Sequence, residues 1–123
     1  MVRVIYDGTP DEKDGKQVFA GAIADLARQD KAVMYLDADL MNSSGTYPLW
    51  KDMPDQVIEA GIQEANMMGV AAGLSVVGRK PYCHTFAPFA SRRSFDQIFI
   101  SIAYAGNSVR IYGSDPGVSD RDE

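Results

Sequence analysis

Cysteine and histidine are nearly absent from this chain, which has one residue of each, Cys83 and His84. A single thiol cannot form an intrachain disulfide, and no Cys-x-x-Cys or Cys/His spacing typical of a zinc ligand set is present. Two neighbouring ligands cannot complete a zinc site alone. The sequence therefore excludes a disulfide-stapled scaffold, and we expect no metal ligand set in it.

Long apolar runs and clustered positive charge are also missing. No stretch reaches the ~20 apolar residues of a membrane helix, and the N-terminus lacks the basic and apolar regions of a signal peptide. Seventeen acidic residues outnumber twelve basic ones, and the net charge is −5, whereas nucleic-acid binders need clustered cations. We expect no membrane or nucleic-acid partner and take the cytoplasm as the default location.

What is present is the composition of one ordinary globular domain. The 123 residues are 46% hydrophobic and 24% charged, and a chain of this length is expected to form a single domain over residues 1–123. A chain of this size buries roughly 65% of its unfolded surface, which permits independent folding with a small margin of stability.

The N-terminal third predicts an arm, an amphipathic helix and a buried strand. Val2–Tyr6 is a short apolar segment, and Thr9–Glu12 has the pattern of a capping box with proline at the first helical position. Gly15 weakens that start, so the helix is expected to begin nearer Lys16. Ala32–Leu36 is continuously apolar, which is typical of a strand buried on both faces. The helix has apolar residues at helical spacing: Val18, Phe19, Ala22, Ile23, Leu26 and Ala27.

The rest of the chain alternates between strand and helix patterns. Further strands are predicted at Gln56–Ile58, Lys80–Phe86 and Ser108–Tyr112. A last helix opens at Pro88 and stops at Gly106. This alternation predicts parallel βαβ units with right-handed crossovers, hence an α/β fold with a mainly parallel sheet. The last helix has a predicted inward face of Phe95, Ile98, Phe99, Ile102 and Ala103.

A helix rich in glycine and alanine is predicted from Ile62 to Val77, with Gly78 as the residue that ends it. Each glycine costs a helix roughly 1 kcal/mol relative to alanine. The usual compensation is the close approach of a neighbouring backbone. We therefore expect this helix to be buried in the domain or at a subunit interface.

Two loops follow predicted strands and are candidates for ligand binding. Asp37–Leu40 comes directly after the first buried strand and leads into a polar, flexible stretch at Asn42–Gly45. Open α/β sheets place their ligand sites at such strand ends. Gly113–Gly117 superficially suggests a phosphate loop, but nothing helical follows it.

Glu64 stands out because its neighbours in the predicted helix are nearly all small or hydrophobic. One interpretation is a carboxylate favoured in the first helical turn by the helix dipole, worth ~0.3–1 kcal/mol. The other is a partly buried Glu with a raised pKa, able to exchange a proton near neutral pH. Composition alone favours the first.

Phe86 and Phe89 flank the end of the third predicted strand. Aromatic residues at such a position are most often part of the core. They could also form the walls of a site for a flat ligand by stacking.

Taken together, several segments resemble the transketolase family in order and spacing, over about residues 15 to 119. The resemblance is closest to the separately encoded C-terminal subunit of split bacterial transketolases. It implies the thiamine-diphosphate-binding fold, a three-layer α/β sandwich, in the form of the domain that holds the pyrimidine ring. The matching segments are Asp37–Leu40 with the following Ser-Ser-Gly, Gly61–Gly73, His84–Phe89, Arg93–Gln97 and Gly113–Val118.

The resemblance also implies roles for individual residues. The matching glutamate, Glu64, would hydrogen-bond the aminopyrimidine nitrogen of thiamine diphosphate and promote the imino tautomer that removes the thiazolium C2 proton, which gives the cofactor its role as electron sink. Phe86 and Phe89 match the aromatic residues that pack on the ring, and Asp39 matches an Asp close to the cofactor. Ser43 and Ser114 fall near positions that line the sugar-phosphate channel.

The chain departs from the family after Ser119. The family continues there with an acidic loop, a Gly-Thr-His motif and further strands, and it binds the diphosphate and Mg²⁺ on another domain. We therefore expect a truncated, single pyrimidine-binding domain that is inactive alone and needs a diphosphate-binding partner, in a homo- or hetero-oligomer. The alternatives are a deoxyxylulose-phosphate synthase, a 2-oxo acid dehydrogenase beta subunit, or a non-catalytic fragment or interaction domain.

Overall fold

A computed structural model describes Thr9 and residues 12–117. Three sequence features lie outside the described residues: the apolar segment at Val2–Tyr6, Pro10 and Asp11 of the capping-box pattern, and the acidic tail at Asp120–Glu123.

One sheet of four parallel strands organises the described chain. The strands are β1 (Val33–Asp37), β2 (Val57–Glu59), β3 (Lys80–Phe86) and β4 (Arg110–Ser114). They lie in the order β2-β1-β3-β4, and all three neighbouring pairs are parallel. This confirms the predicted βαβ architecture. The strand order reverses direction between β1 and β3, so their carboxyl ends border the crevice where such sheets bind ligands.

Strand β1 lies at the centre of the fold and is buried along its whole length. Its side chains alternate between two hydrophobic clusters, as the period of two in a strand requires. Val33 and Tyr35 pack on the side of α1 (Gly15–Gln29). Met34 and Leu36 pack on the side of α4 (Glu64–Val76). The result is the predicted three-layer arrangement, a sheet between two helical layers.

Helix α1 begins close to the predicted start. Asp14 precedes it, and its carboxylate accepts the backbone N–H of Lys16 at 3.0 Å, which satisfies one of the free donors at the helix N-terminus. The buried stripe is narrower than predicted, because only Ile23 and Ala27 are buried. No helix in the described part of the chain is long and apolar enough to cross a bilayer.

The stretch after β1, predicted to be polar and flexible, is helical instead. It forms α2 (Met41–Ser44) and α3 (Tyr47–Asp52), separated by Gly45 at a φ of 73°. Ser44 and Thr46 are buried, and Ser44 Oγ lies 2.8 Å from Thr46 Oγ1. Asn42 and Ser43 are exposed.

Helix α4 buries one face and exposes the other, although its sequence is apolar nearly all round. Gly69 and Gly73 lie on the exposed side, and a Cβ added to either would meet nothing within 4 Å. The predicted close approach to these glycines is therefore absent within the described residues. Gly78, at a φ of 81°, follows the helix end as predicted. The buried residues are Glu64, Met67, Met68, Ala71 and Ala72.

The last helix is not a regular α-helix. Two π-helical segments, Phe89–Arg93 and Ile98–Tyr104, flank the short α5 (Phe95–Gln97). Because the wider turns change which residues share a face, the predicted inward face is wrong at Phe95 and Phe99, which are both more than half exposed. Ile102, also predicted to face inward, is buried. Its predicted partners Ala103 and Ile98 are exposed and half-buried, respectively.

Candidate functional site

A cavity of about 110 Å³ lies at the carboxyl ends of β1 and β3, where the strand order reverses. Three parts of the chain form it: the residues that follow β1, the start of α4, and the end of β3 with the turn after it. The lining residues are Ala38, Asp39, Leu40, Ile62, Glu64, Thr85, Phe86 and Phe89. Four residues singled out in the sequence, Glu64, Asp39, Phe86 and Phe89, therefore meet in this Glu64 cavity.

Glu64 is the first residue of α4 and is only 2% exposed. Its carboxylate is paired with Arg93, whose Nη1 donates to Oε1 at 2.9 Å and to Oε2 at 3.1 Å. A carboxylate removed from water needs such partners, and its place at a helix N-terminus adds further stabilisation. A carboxylate has about four lone-pair positions, so the two bonds from Arg93 leave acceptor capacity for a ligand.

Phe86 and Phe89 form an aromatic wall of the cavity. Their ring centroids are 6.0 Å apart at an interplanar angle of 64°, an edge-to-face arrangement. The guanidinium of Arg93 lies 3.9 Å from the centroid of the Phe89 ring, within the range of a cation–π interaction. Phe89 thus helps to hold the arginine that binds Glu64.

Asp39 lies on the rim of the cavity in a strained conformation. Its φ is 63°, which is uncommon outside glycine and costs of order 1 kcal/mol. The backbone N–H groups of Asp39 and Gly61 both donate to Oε1 of Glu59, each at 2.8 Å. Glu59, at the end of β2, therefore connects the loop after β1 to the loop before α4.

Thr85 is fully buried and lines the cavity. Its Oγ1 atom is enclosed, yet it has no hydrogen-bond partner among the residues that the structure describes. Buried hydroxyls are normally paired, so this side chain is an exception that calls for a physical account.

The two serines predicted to lie near a substrate channel are not part of the Glu64 cavity. Ser43 is exposed and lines a separate, polar cavity of about 410 Å³ beside the start of α1. Ser114 is buried at the end of β4, with its Oγ 3.1 Å from Nε2 of His84. The structure thus separates both serines from the other predicted site residues.

Ser114 belongs to a buried polar network across three strands. Nδ1 of His84 lies 2.8 Å from Oδ2 of Asp37, and the Tyr35 hydroxyl donates to the same oxygen at 2.5 Å. The order Asp–His–Ser matches a hydrolase triad, but the exposed fractions of these residues are 0%, 1% and 6%, and none lines either cavity. We interpret the network as structural. Burial, and then the charge of Asp37, raise the pKa of Tyr35.

Sequence reasoning misses the parts of the site that depend on a partner elsewhere in the chain. Arg93 and Thr85 stand out in the sequence only as members of motifs, and Glu59 does not stand out at all. The one local signal is the spacing of Phe89 and Arg93, four residues apart on a helical segment. The pairing of Arg93 with Glu64 joins residues 29 positions apart and has no local signature.

Comparison with known proteins gives a family match over nearly the whole chain. Residues 11–121 match the family model described as "Transketolase, pyrimidine binding domain". The chain is 43% identical over 104 residues to a 6-deoxy-6-sulfo-D-fructose transketolase subunit of a Clostridium species. It is 34% identical over 104 residues to one of the subunits of the apulose-4-phosphate transketolase of Phocaeicola vulgatus.

A solved structure supports the same comparison at the level of the fold. The protein described as "Split gene transketolase, inactive beta4 tetramer" superposes with a TM-score of 0.72 at 40% sequence identity, over 80% of this chain and 33% of that one. The two curated relatives are matched over 85% of this chain but only 32% and 33% of their own lengths. The chain therefore spans about a third of the proteins that it resembles.

Proposed function

This chain belongs to the transketolase pyrimidine-binding domain family, and from that membership we propose that it supplies the aminopyrimidine half-site of a thiamine-diphosphate-dependent transketolase. The observation that carries the proposal is the convergence of Glu64, Phe86 and Phe89 in one cavity at the strand-order reversal. A buried carboxylate beside an aromatic wall suits a flat, nitrogen-containing ring.

The lining of the Glu64 cavity fits one end of thiamine diphosphate. The two phenylalanine rings offer apolar contact, Glu64 offers a carboxylate, and the unpaired Thr85 hydroxyl offers unused hydrogen-bonding capacity. Among the residues that the structure describes, no basic residue lines this cavity, and no three His, Cys, Asp or Glu side chains are grouped to hold a metal ion. The diphosphate and Mg²⁺ would accordingly be held by a separate domain or subunit.

Each residue of the half-site would have a distinct task. When bound, thiamine diphosphate supplies an electron sink for carbanion chemistry. Glu64 would hold a proton between a carboxylate oxygen and a pyrimidine nitrogen, in a position from which water is largely excluded. Phe86 and Phe89 would orient the ring, and Asp39 would lie at the open rim of the cavity. Arg93 would have to share Glu64 with the ring.

The activity proposed for the assembled protein is two-carbon ketol transfer between sugar phosphates. The setting that we propose is cytoplasmic carbohydrate metabolism, with the pentose phosphate pathway as the expected context. The relatives named as subunits support a diphosphate-binding partner for this chain. On its own the chain offers little binding energy for the cofactor, since association costs several kcal/mol that a ring pocket alone barely offsets.

The exposed face of α4 is the proposed contact with a second chain, in a dimer or a larger assembly. Val70, Val76 and Val77 are exposed on or beside it, at 38%, 71% and 72%. Gly69 and Gly73 have free space above them, so another backbone could approach closely there. A relative described as a tetramer supports an oligomeric state.

The proposal is tested by calorimetric titration of thiamine diphosphate and Mg²⁺ into the chain, alone and mixed with a diphosphate-binding transketolase subunit. We expect weak binding and no turnover from the chain alone, and both binding and ketol transfer from the mixture. Glu64→Ala and Glu64→Gln should lower ketol transfer at least about 100-fold, the usual contribution of proton transfer by a positioned side chain.

Asp52→Asn is the matched control for the Glu64 variants, because Asp52 is an exposed carboxylate at the end of α3, outside the Glu64 cavity. It should leave ketol transfer unchanged. Turnover by the chain without a partner would contradict the proposal, as would full activity of Glu64→Ala in the mixture. An absence of assembly and of cofactor binding would indicate a fold retained without its function.

A further inference from the structure

The hydroxyl of Thr85, a residue that lines the Glu64 cavity, is a buried polar group without a hydrogen-bond partner among the described residues. Thr85 is 0% exposed, and its Oγ1 has no hydrogen bond among the described residues. An unpaired buried hydroxyl lowers the stability of a protein, because the group loses its hydration without gaining a hydrogen bond. A position that tolerates this cost, in the lining of a cavity, points to a partner that arrives with a ligand.

The sheet explains why no neighbouring side chain satisfies Thr85. On the β1 side, the last parallel pair is Asp37 with His84. Ala38 follows Asp37 as Thr85 follows His84, and its methyl side chain cannot form a hydrogen bond. On the other side Thr85 pairs with Gly113, which has no side chain. A Cβ at Gly113 would come within 2.8 Å of the Ala87 backbone, so this position excludes a larger residue that could bond to Thr85.

The same stretch of β3 shows that the fold satisfies buried polar groups elsewhere. His84 precedes Thr85 and is bonded through both ring nitrogens, to Asp37 and to Ser114. The buried hydroxyl of Thr46 is bonded to both Tyr35 and Ser44. Of these three residues, the one whose hydrogen bonding is unsatisfied is the one that lines the Glu64 cavity.

We propose that the Thr85 hydroxyl is a hydrogen-bonding contact for the pyrimidine ring in the Glu64 cavity, an inference that rests on the function proposed above. A hydroxyl both donates and accepts, and an aminopyrimidine edge carries ring nitrogens that accept and an amino group that donates. Glu64, at the start of α4, and Thr85, at the end of β3, would then contact the polar edge of the ring, while Phe86 and Phe89 contact its faces.

The test compares Thr85→Val, which removes the hydroxyl at nearly constant shape, with Thr85→Ser, which keeps it. In the ligand-free chain, Thr85→Val should melt at the same temperature as the wild type or higher, because it removes an unpaired polar group. Thr46→Val is the matched contrast. It should lower the melting temperature, because the Thr46 hydroxyl is paired.

The second readout is the affinity of thiamine diphosphate with Mg²⁺ for the chain mixed with its diphosphate-binding partner. Thr85→Val should weaken binding roughly tenfold, the loss expected for one hydrogen bond to a ring. Thr85→Ser should stay within about threefold of the wild type. Inorganic pyrophosphate is the control probe, and its affinity should be the same for all three proteins.

Each other outcome overturns the inference in a recognisable way. A lower melting temperature for ligand-free Thr85→Val, restored by Thr85→Ser, would mean that the hydroxyl has an internal partner. Equal cofactor affinity for Thr85→Val and the wild type would exclude the contact, and a simultaneous loss of affinity in Glu64→Ala would leave the proposed function standing. If the wild-type mixture binds no cofactor, the proposed function fails and the contact of Thr85 with the ring fails with it.

Discussion

At the scale of single residues, two buried carboxylates, Asp37 and Glu64, are paired with different kinds of partner. Asp37 is fully buried and bonded to the Tyr35 hydroxyl, the backbone N–H of Leu40 and the ring of His84. Glu64 is paired instead with Arg93, whose side chain is 47% exposed. Tyr35 and His84, which bond to Asp37, are themselves buried, whereas the side chain of Arg93 is partly in solvent. This difference is why we interpret Asp37 as structural and propose a catalytic role for Glu64.

Asp37→Ala is expected to destabilise the chain by about 3 kcal/mol or more. The substitution removes one hydrogen-bond partner from the buried Tyr35 hydroxyl, from the buried His84 ring and from the half-buried N–H of Leu40, and each such loss costs about 1–3 kcal/mol. The measurement is the free energy of unfolding in urea. Asp25→Ala, an exposed carboxylate in a surface ion pair with Arg28, should change that free energy by less than about 0.5 kcal/mol. Equal stability of the two variants would contradict a structural role for Asp37.

At the scale of elements, α4 carries both the candidate catalytic residue and a surface with no partner among the described residues. Its buried face packs Met67, Met68 and Ala71 against the sheet, which positions Glu64 at the mouth of the crevice. Close packing within the described part of the chain does not require its glycines, because a Cβ at Gly69 or Gly73 would meet only open space. Each glycine lowers the stability of the helix relative to alanine. Their presence is therefore consistent with a close contact between α4 and a second chain.

Gly69→Leu and Gly73→Leu are expected to disrupt assembly while leaving the isolated chain folded. A leucine has room on the free surface of α4, but it would hold another backbone away. The measurement is the molar mass in solution by light scattering, together with the circular dichroism of each variant. Gly21→Leu is the matched control, since Gly21 is an exposed helical glycine of α1 with equal free space. An unchanged mass for all three variants would refute α4 as the contact.

At the scale of the whole molecule, two groups on the central strands, the Cys83 thiol and the Tyr35 hydroxyl, are buried in their neutral forms. Burial raises the pKa of the Cys83 thiol on β3 from its ordinary 9.0 to about 12, and it raises the pKa of Tyr35 on β1 above its ordinary 10.0. The folded state therefore binds these protons more tightly than the unfolded state does. Both groups stabilise the fold at neutral pH and lose that contribution as pH rises.

The expected result is a free energy of unfolding that falls above about pH 9. Between pH 9 and 10 Cys83 should account for up to about 1.4 kcal/mol per pH unit, since it ionises in the unfolded chain and stays protonated in the folded one. Tyr35 should add to the loss above about pH 10. The measurement is urea unfolding at pH 8, 9, 10 and 11. Cys83→Ala should reduce the slope between pH 9 and 10, and an unaltered slope there would contradict the assignment.

Much of the fold follows from the sequence alone because strands and helices leave local periodic patterns. The pattern at Lys80–Phe86 predicts a strand with the same bounds as β3, and the continuous apolar run before Asp37 predicts the buried strand β1. Short helices and helix faces are predicted less well. Helix α2 (Met41–Ser44) has only four residues, too few to leave a periodic pattern in the sequence, and the π-helical turns around Phe95 change a face that ordinary helical spacing predicts.

The sequence by itself determined the α/β class, the family, the position of Glu64 at the start of a helix and those of Phe86 and Phe89 near a strand end, because these features follow from local pattern and motif order. Only the tertiary structure decided which side chains meet. The pairing of Glu64 with Arg93 spans 29 positions, and that of Asp37 with His84 spans 47. The isolation of the Thr85 hydroxyl likewise depends on the register of β3 with β1 and β4. Contacts over such distances are set by strand order and register, which no local stretch of sequence records.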